Sequence, residues 1–118
     1  MLTKVAQDDF LTVMSVRAQN RARIGARLLD RALPDWESKF EDPVEKPINM
    51  SSTHQCVLAQ LYGRYRDGLA HLMFGDVQAH LLGFRGCRHE LRNSMPNFAH
   101  YYKALSAAWE HERKSRLD

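Results

Sequence analysis

Apolar side chains recur with a helical period along most of this chain, and the clearest run lies in its middle. Val57, Leu61, Tyr65 and Leu69 follow one another at four-residue intervals, Leu72 comes three further on, and Leu58 and Tyr62 widen the stripe. The spacing predicts a helix from Thr53 to residue 73 that forms the centre of the core. Ser52 followed by Gln55 has the spacing of a capping box, in which hydroxyl and amide side chains each satisfy one open backbone amide. Cys56, Ala59, Gly63 and Ala70 form a flank of small residues. Gly63, placed inside a helix, costs about 1 kcal/mol against Ala, so a neighbouring backbone is expected to pass close to it.

Residues 5–33 contain no Pro and a single Gly, which predicts one long helix or two with a break. One face carries Phe10, Met14, Arg17, Arg21, Ile24 and Leu28, an apolar stripe interrupted by two arginines. Beside it Leu11, Ser15, Ala18, Ala22, Gly25 and Leu29 alternate by four and three, a seam of mostly small side chains that would let another helix come close. Pro34, Pro43 and Pro47 then bracket an acidic connector holding Trp36 and Phe40, with "DWESKF" fit for one helical turn and "INM" too short for a strand.

Gly75 and Asp76 read as a stop and a fresh N-cap, followed by a short helix closed by Gly83, after which Phe84 folds back. The segment "RGCRHELRNSMP" is irregular. Ser94 caps a last helix to about residue 114, with Pro96 in its first turn, Phe98, Tyr101, Tyr102, Leu105 and Trp109 buried, and "EHERKSR" a solvated end. The expected fold class is all-α, a single-domain bundle of three to four main helices with an irregular Pro-containing connector. The 53–73 helix lies against the 97–114 helix in it, and Trp36 or Phe40 closes one end. Residues 1–118 form one helical domain, of which 1–20 are an N-terminal helical extension.

Composition agrees with a folded domain: 44% of residues are hydrophobic and 26% charged, far from the mixture that keeps chains disordered. Seventeen Lys and Arg against fourteen Asp and Glu give a net charge of +3. Five arginines and one acid fall between Arg17 and Arg31, whereas Asp35, Glu37, Glu41, Asp42 and Glu45 face only Lys39 and Lys46 in the connector. The first residues have no signal-like apolar region, and no uncharged run reaches the ~20 residues of a bilayer span. A cytoplasmic protein with no membrane association and with reduced Cys56 and Cys87 is expected.

Two constellations carry candidate chemistry. His54 and Cys56, with Cys87 and His89, form two His/Cys pairs in mirror order that have the residue types of a zinc site. Residues two apart on a helix point to nearly opposite sides, so a packed Cys56 and a solvated His54 are the favoured reading, with no cofactor. Arg17, Arg21, Arg23, Arg27 and Arg31 spread over about a third of a helix circumference, a basic surface for an acidic protein partner or for phosphates. No phosphate-cradling Gly-rich loop and no "HExxH" appears, so no enzyme is expected.

Gly25, "LLD" at 28–30, "PDW" at 34–36, "MSS" at 50–52, "CVLAQLYGRYRDGL" at 56–69, "LLGF" at 81–84 and "YKALSAAW" at 102–109 together resemble a set of uncharacterised small proteins of actinobacteria and their bacteriophages. The usual central motif there is "CVLGQLYG", and Ala59 replaces its Gly. The resemblance covers about residues 25–112 and implies a phage-encoded or phage-derived protein, without an assigned activity, cofactor or partner. The expected function is a non-enzymatic protein that binds a host or self protein through its N-terminal basic helix. Nucleic-acid binding is the alternative, a zinc-stabilised module the third, and a homodimer through the small-residue seam stays open.

Overall fold

The computed structural model describes residues 4–40, 46–52, 54–84 and 98–117. Among them are five α-helices, one 3-10 turn and no strand: α1 (Lys4–Ala32), the turn Trp36–Ser38, α2 (Val57–Tyr62), α3 (Tyr65–Leu72), α4 (Asp76–Leu81) and α5 (Phe98–Leu117). The architecture is all-α around one core.

With no Pro to interrupt it, α1 runs as a single helix of 29 residues. It buries the stripe that contains Ile24 only in part, with Met14 and Leu28 half-buried against the core. Ala18, Ala22, Ala26 and Leu29 have no exposed surface and Gly25 is buried among them, whereas Ile24 is 48% exposed. The small seam therefore faces the core, roughly a quarter turn from the expected stripe. Two guanidinium groups inside a core would lose their hydration, and Ala and Gly let a neighbouring helix approach, so both effects rotate α1 the same way.

That neighbour is α5. Ser15 meets His100, Arg21 meets Tyr101, Gly25 lies against Trp109 and Asp30 meets Arg116. Partner numbers climb together, so the two long helices run parallel, and everything between them in sequence is a crossover. The principal pairing is thus α1 with α5, in place of the expected 53–73 helix with α5.

The crossover is locked to α1 by glycine. A Cβ on Gly25 would collide with the carbonyl oxygen of Leu82 and come within 2.9 Å of Trp109. Gly83 has φ +74°, and a Cβ there would lie 2.9 Å from the backbone of Arg21 and Ala22. Each glycine admits the other segment's main chain. Gly83 also ends α4 in a Schellman turn, its amide donating to His80 O at 3.2 Å and that of Phe84 to Ala79 O at 2.8 Å. Phe84 returns as expected, buried and stacked on Trp109 at 5.4 Å.

The expected 53–73 helix is broken. Ser52 Oγ accepts the amides of His54 and Gln55 at 3.1 and 3.2 Å, so a turn begins where the cap was read. The reciprocal half is missing, since the Ser52 amide donates to Asn49 O instead. The α-helix starts only at Val57, and it stops at Gly63, whose φ is +93°. No atom lies within 4 Å of where a Gly63 Cβ would stand. Gly63 is therefore needed for a left-handed break and not for close approach, which corrects the sequence reading. Arg64 is extended, and α3 then runs to Met73, a non-glycine residue at φ +60°.

Trp36 closes one end, fully buried, edge-on to Trp109 at 5.7 Å and to Phe40 at 6.0 Å. Residues 46–50 lie extended along α5. The Ile48 amide donates to Glu110 Oε1 at 3.0 Å and the Met50 amide to Ser106 Oγ at 2.9 Å, so side chains four apart on the helix receive alternate amides. Tyr101, Tyr102, Leu105 and Trp109 are buried as expected. Phe98's side chain, Ser94, Pro96, Cys87 and His89 lie outside the described residues. The last turns of α5 are solvated on one side only: His111, Lys114 and Ser115 are exposed, whereas Arg113 is 6% exposed, paired with Glu110 at 3.0 Å under the Phe40 ring. The connector and the end of α1 fold onto those turns and give their charges partners.

Candidate functional site

The five arginines of α1 separate into an inward one and an outward set. Arg21 is half-buried, its Nη1 donating to Tyr101 Oη at 2.8 Å while its guanidinium lies over the Tyr101 ring at 5.6 Å. It thereby acts as a strut between α1 and α5. Arg17, Arg23, Arg27 and Arg31 are exposed, and none has an ion pair among the described residues; Arg23 donates to Asn20 Oδ1 at 2.8 Å. Helical periodicity places Val13, Val16 and Ile24 among them, each 48% exposed. The outer face of α1 is therefore cationic and aliphatic together, and Asp30 near its end is already engaged by Arg116.

That engagement is a clamp at the end of α1. Asp30 accepts Arg116 Nε at 2.8 Å and Nη2 at 3.0 Å, and the Trp36 indole donates to Asp30 Oδ1 at 2.9 Å. Hydrogen bonding from Arg116 is the main force holding the Asp30 carboxyl below its ordinary value; burial opposes it, and the Trp36 hydrogen bond and the Arg116 charge add to it. The same contact raises Arg116 further above neutrality. Two charges that satisfy each other and an indole leave nothing to activate a substrate, so the clamp is structural.

Between α1 and α5, on the side away from the crossover, runs a valley of about 780 Å³. Ser15, Gln19 and Arg23 form its α1 bank. His100, Lys103, His111 and Glu112 line its α5 bank, over a floor that includes Ala104, Ala107 and Ala108. Glu112 is held by Arg116 at 3.1 Å. Ser15 Oγ lies 3.3 Å from His100 Nε2, the one hydroxyl–imidazole pair in the valley. Ser15 sits well inside α1 and His100 in the first turn of α5, so the pair joins the two long helices.

His54 is exposed and Cys56 fully buried, the expected division, but both precede α2, so the helical spacing argued for it does not apply. Among the described residues no group of three or more His, Cys, Asp or Glu could hold a metal ion. No described helix is long and apolar enough to cross a membrane.

Sequence reasoning found the arginines and missed the α5 bank. Its signal was present in Ala104, Ala107 and Ala108, small residues on the side of the helix opposite Tyr102, where a purely solvated face would carry longer polar side chains. Comparison with family models, curated proteins and solved structures finds no match to this chain.

Proposed function

We propose that this chain is a non-enzymatic interaction protein that binds a protein partner through the outer face of α1. In keeping with the resemblance to phage and actinobacterial proteins, the partner is a host protein or a self protein, met in the cytoplasm. One observation carries the reading: Val13, Val16 and Ile24, half-exposed, stand among four exposed arginines that have no ion pair among the described residues. Aliphatic area beside arginine is the surface on which protein contacts form, since Arg supplies several donors and is weakly hydrated. Nucleic acid is the second reading, favoured by the same arginines. It fits less well, because three aliphatic side chains meet no phosphate.

The test places a photo-crosslinking amino acid at Val16 and irradiates native host cells. A protein adduct that disappears when Arg17, Arg27 and Arg31 become Glu, at unchanged helicity, supports the reading. Adducts no stronger than those from a control position, Arg66 on α3, defeat it. A gel shift of generic duplex that weakens steeply with salt would establish the second reading instead.

A further inference from the structure

We infer that the α1–α5 valley seats an acidic amphipathic helix of the partner, so that α5 supplies half of the binding site; this rests on the proposed role of α1. The two long helices are parallel neighbours with one side covered by the connector and the crossover, and the other side open among the described residues. Along that open side the banks carry Arg23, Lys103, His100 and His111, and the one carboxylate among the described lining residues, Glu112, is already held by Arg116. An incoming ligand therefore meets two cations and two imidazoles there. The floor of Ala104, Ala107 and Ala108 repeats at three and four residues, the spacing that lets a third helix settle into the groove between two others.

The charge pattern selects the occupant. Arg23 belongs both to the outer face of α1 and to the valley, while Lys103 stands on the opposite bank, so cations flank a strip of methyl groups. A helix with small or aliphatic residues along one line and Glu or Asp on both sides matches it. A phosphate backbone would bring charge to the rims and nothing to the alanine floor.

The probe is a fluorescein-labelled 15-residue peptide of Glu, Ala and Leu with its Ala and Leu on one helical face, read by fluorescence polarisation against the full chain. Comparison probes are the same peptide with Lys for Glu, a scrambled peptide of identical composition, and single- and double-stranded oligonucleotides. The amphipathic acidic peptide is expected to bind at submillimolar concentration, at least tenfold tighter than the scrambled one, with no binding of the Lys peptide. Lys103→Glu and Ala107→Trp, both at exposed positions, should each weaken it at least tenfold at unchanged melting temperature. Three results overturn the proposal: equal binding of the scrambled peptide, oligonucleotides binding more tightly than the peptide, or indifference to both α5 variants. In the last case, sensitivity to Arg17→Glu and Arg27→Glu leaves the α1 reading standing without the valley. Adducts from Val16 in cells, with no peptide binding, separate the two outcomes in the same way.

Discussion

Replacing Gly25 by Ala sets two opposed effects against each other with known sizes. In an open helix the change gains about 1 kcal/mol, because Ala loses less backbone freedom on folding. Here the new methyl would overlap the Leu82 carbonyl oxygen and press within 2.9 Å of Trp109 Cζ2. Neither can step aside: the first is main chain, and the indole is held by its Nε1 donating to Gly83 O at 2.7 Å. Overfilling a packed core costs about 1–3 kcal/mol, and an obstacle made of backbone puts this site near the upper figure. The net expectation is a loss of about 2 kcal/mol, or a melting temperature lower by about 8 °C for a domain of this length. Thermal unfolding followed by circular dichroism, with urea melts of unchanged slope to show that the unfolded state is the same, measures it. A variant that melts several degrees above the parent would show the propensity gain winning, and would refute the interlocked backbones.

Four further outcomes follow from the same packing. Trp109→Phe removes the donor to the buried Gly83 carbonyl and should destabilise by about 2–4 kcal/mol in urea melts, more than the lost ring volume alone explains. Met73→Gly, at a residue with φ +60° and 88% exposure, should raise stability by up to about 1 kcal/mol, since only Gly accepts that conformation without steric cost. Asp30 has a folded-state pKa below its unfolded one, so its contribution is present above the unfolded value and lost as pH falls through the folded one. With 43% of its side chain exposed the effect is about 1 kcal/mol or less, and the stability gap between parent and Asp30→Asn should close on acidification below about pH 4. In a Cys87→Ser background, Cys56 should react with a thiol reagent far more slowly in the folded protein than in denaturant, because it has no exposed surface.

Much of the fold was legible in local pattern. Gly83 with Phe84, the buried tyrosines of α5 and the docking of Trp36 all followed from short-range rules about caps, periodicity and aromatic size. Pairing was harder to read. The seam Ala18–Ala22–Gly25–Leu29 read as one that lets another helix come close, and it does face the core, but its partner α5 stands about 80 positions away and a local pattern does not name it. Gly63 was misread: its positive φ is a property of the backbone path that a helical pattern of side chains conceals. Of the candidate site, the arginines were visible but Arg21's inward role was not, since Tyr101 lies 80 residues away in sequence. The α5 bank was hidden for the same reason.

The parallel course of α1 and α5 has a kinetic corollary. Their contacts join residues 80 to 86 positions apart, so the first helix must wait, its alanine seam wet, until the whole crossover and the last helix have left the ribosome. Helical bundles with neighbouring partners fold among the fastest of domains, because the loops they close are short. This chain gives up that advantage, and its refolding rate should resemble that of mixed α/β domains despite its lack of described strands.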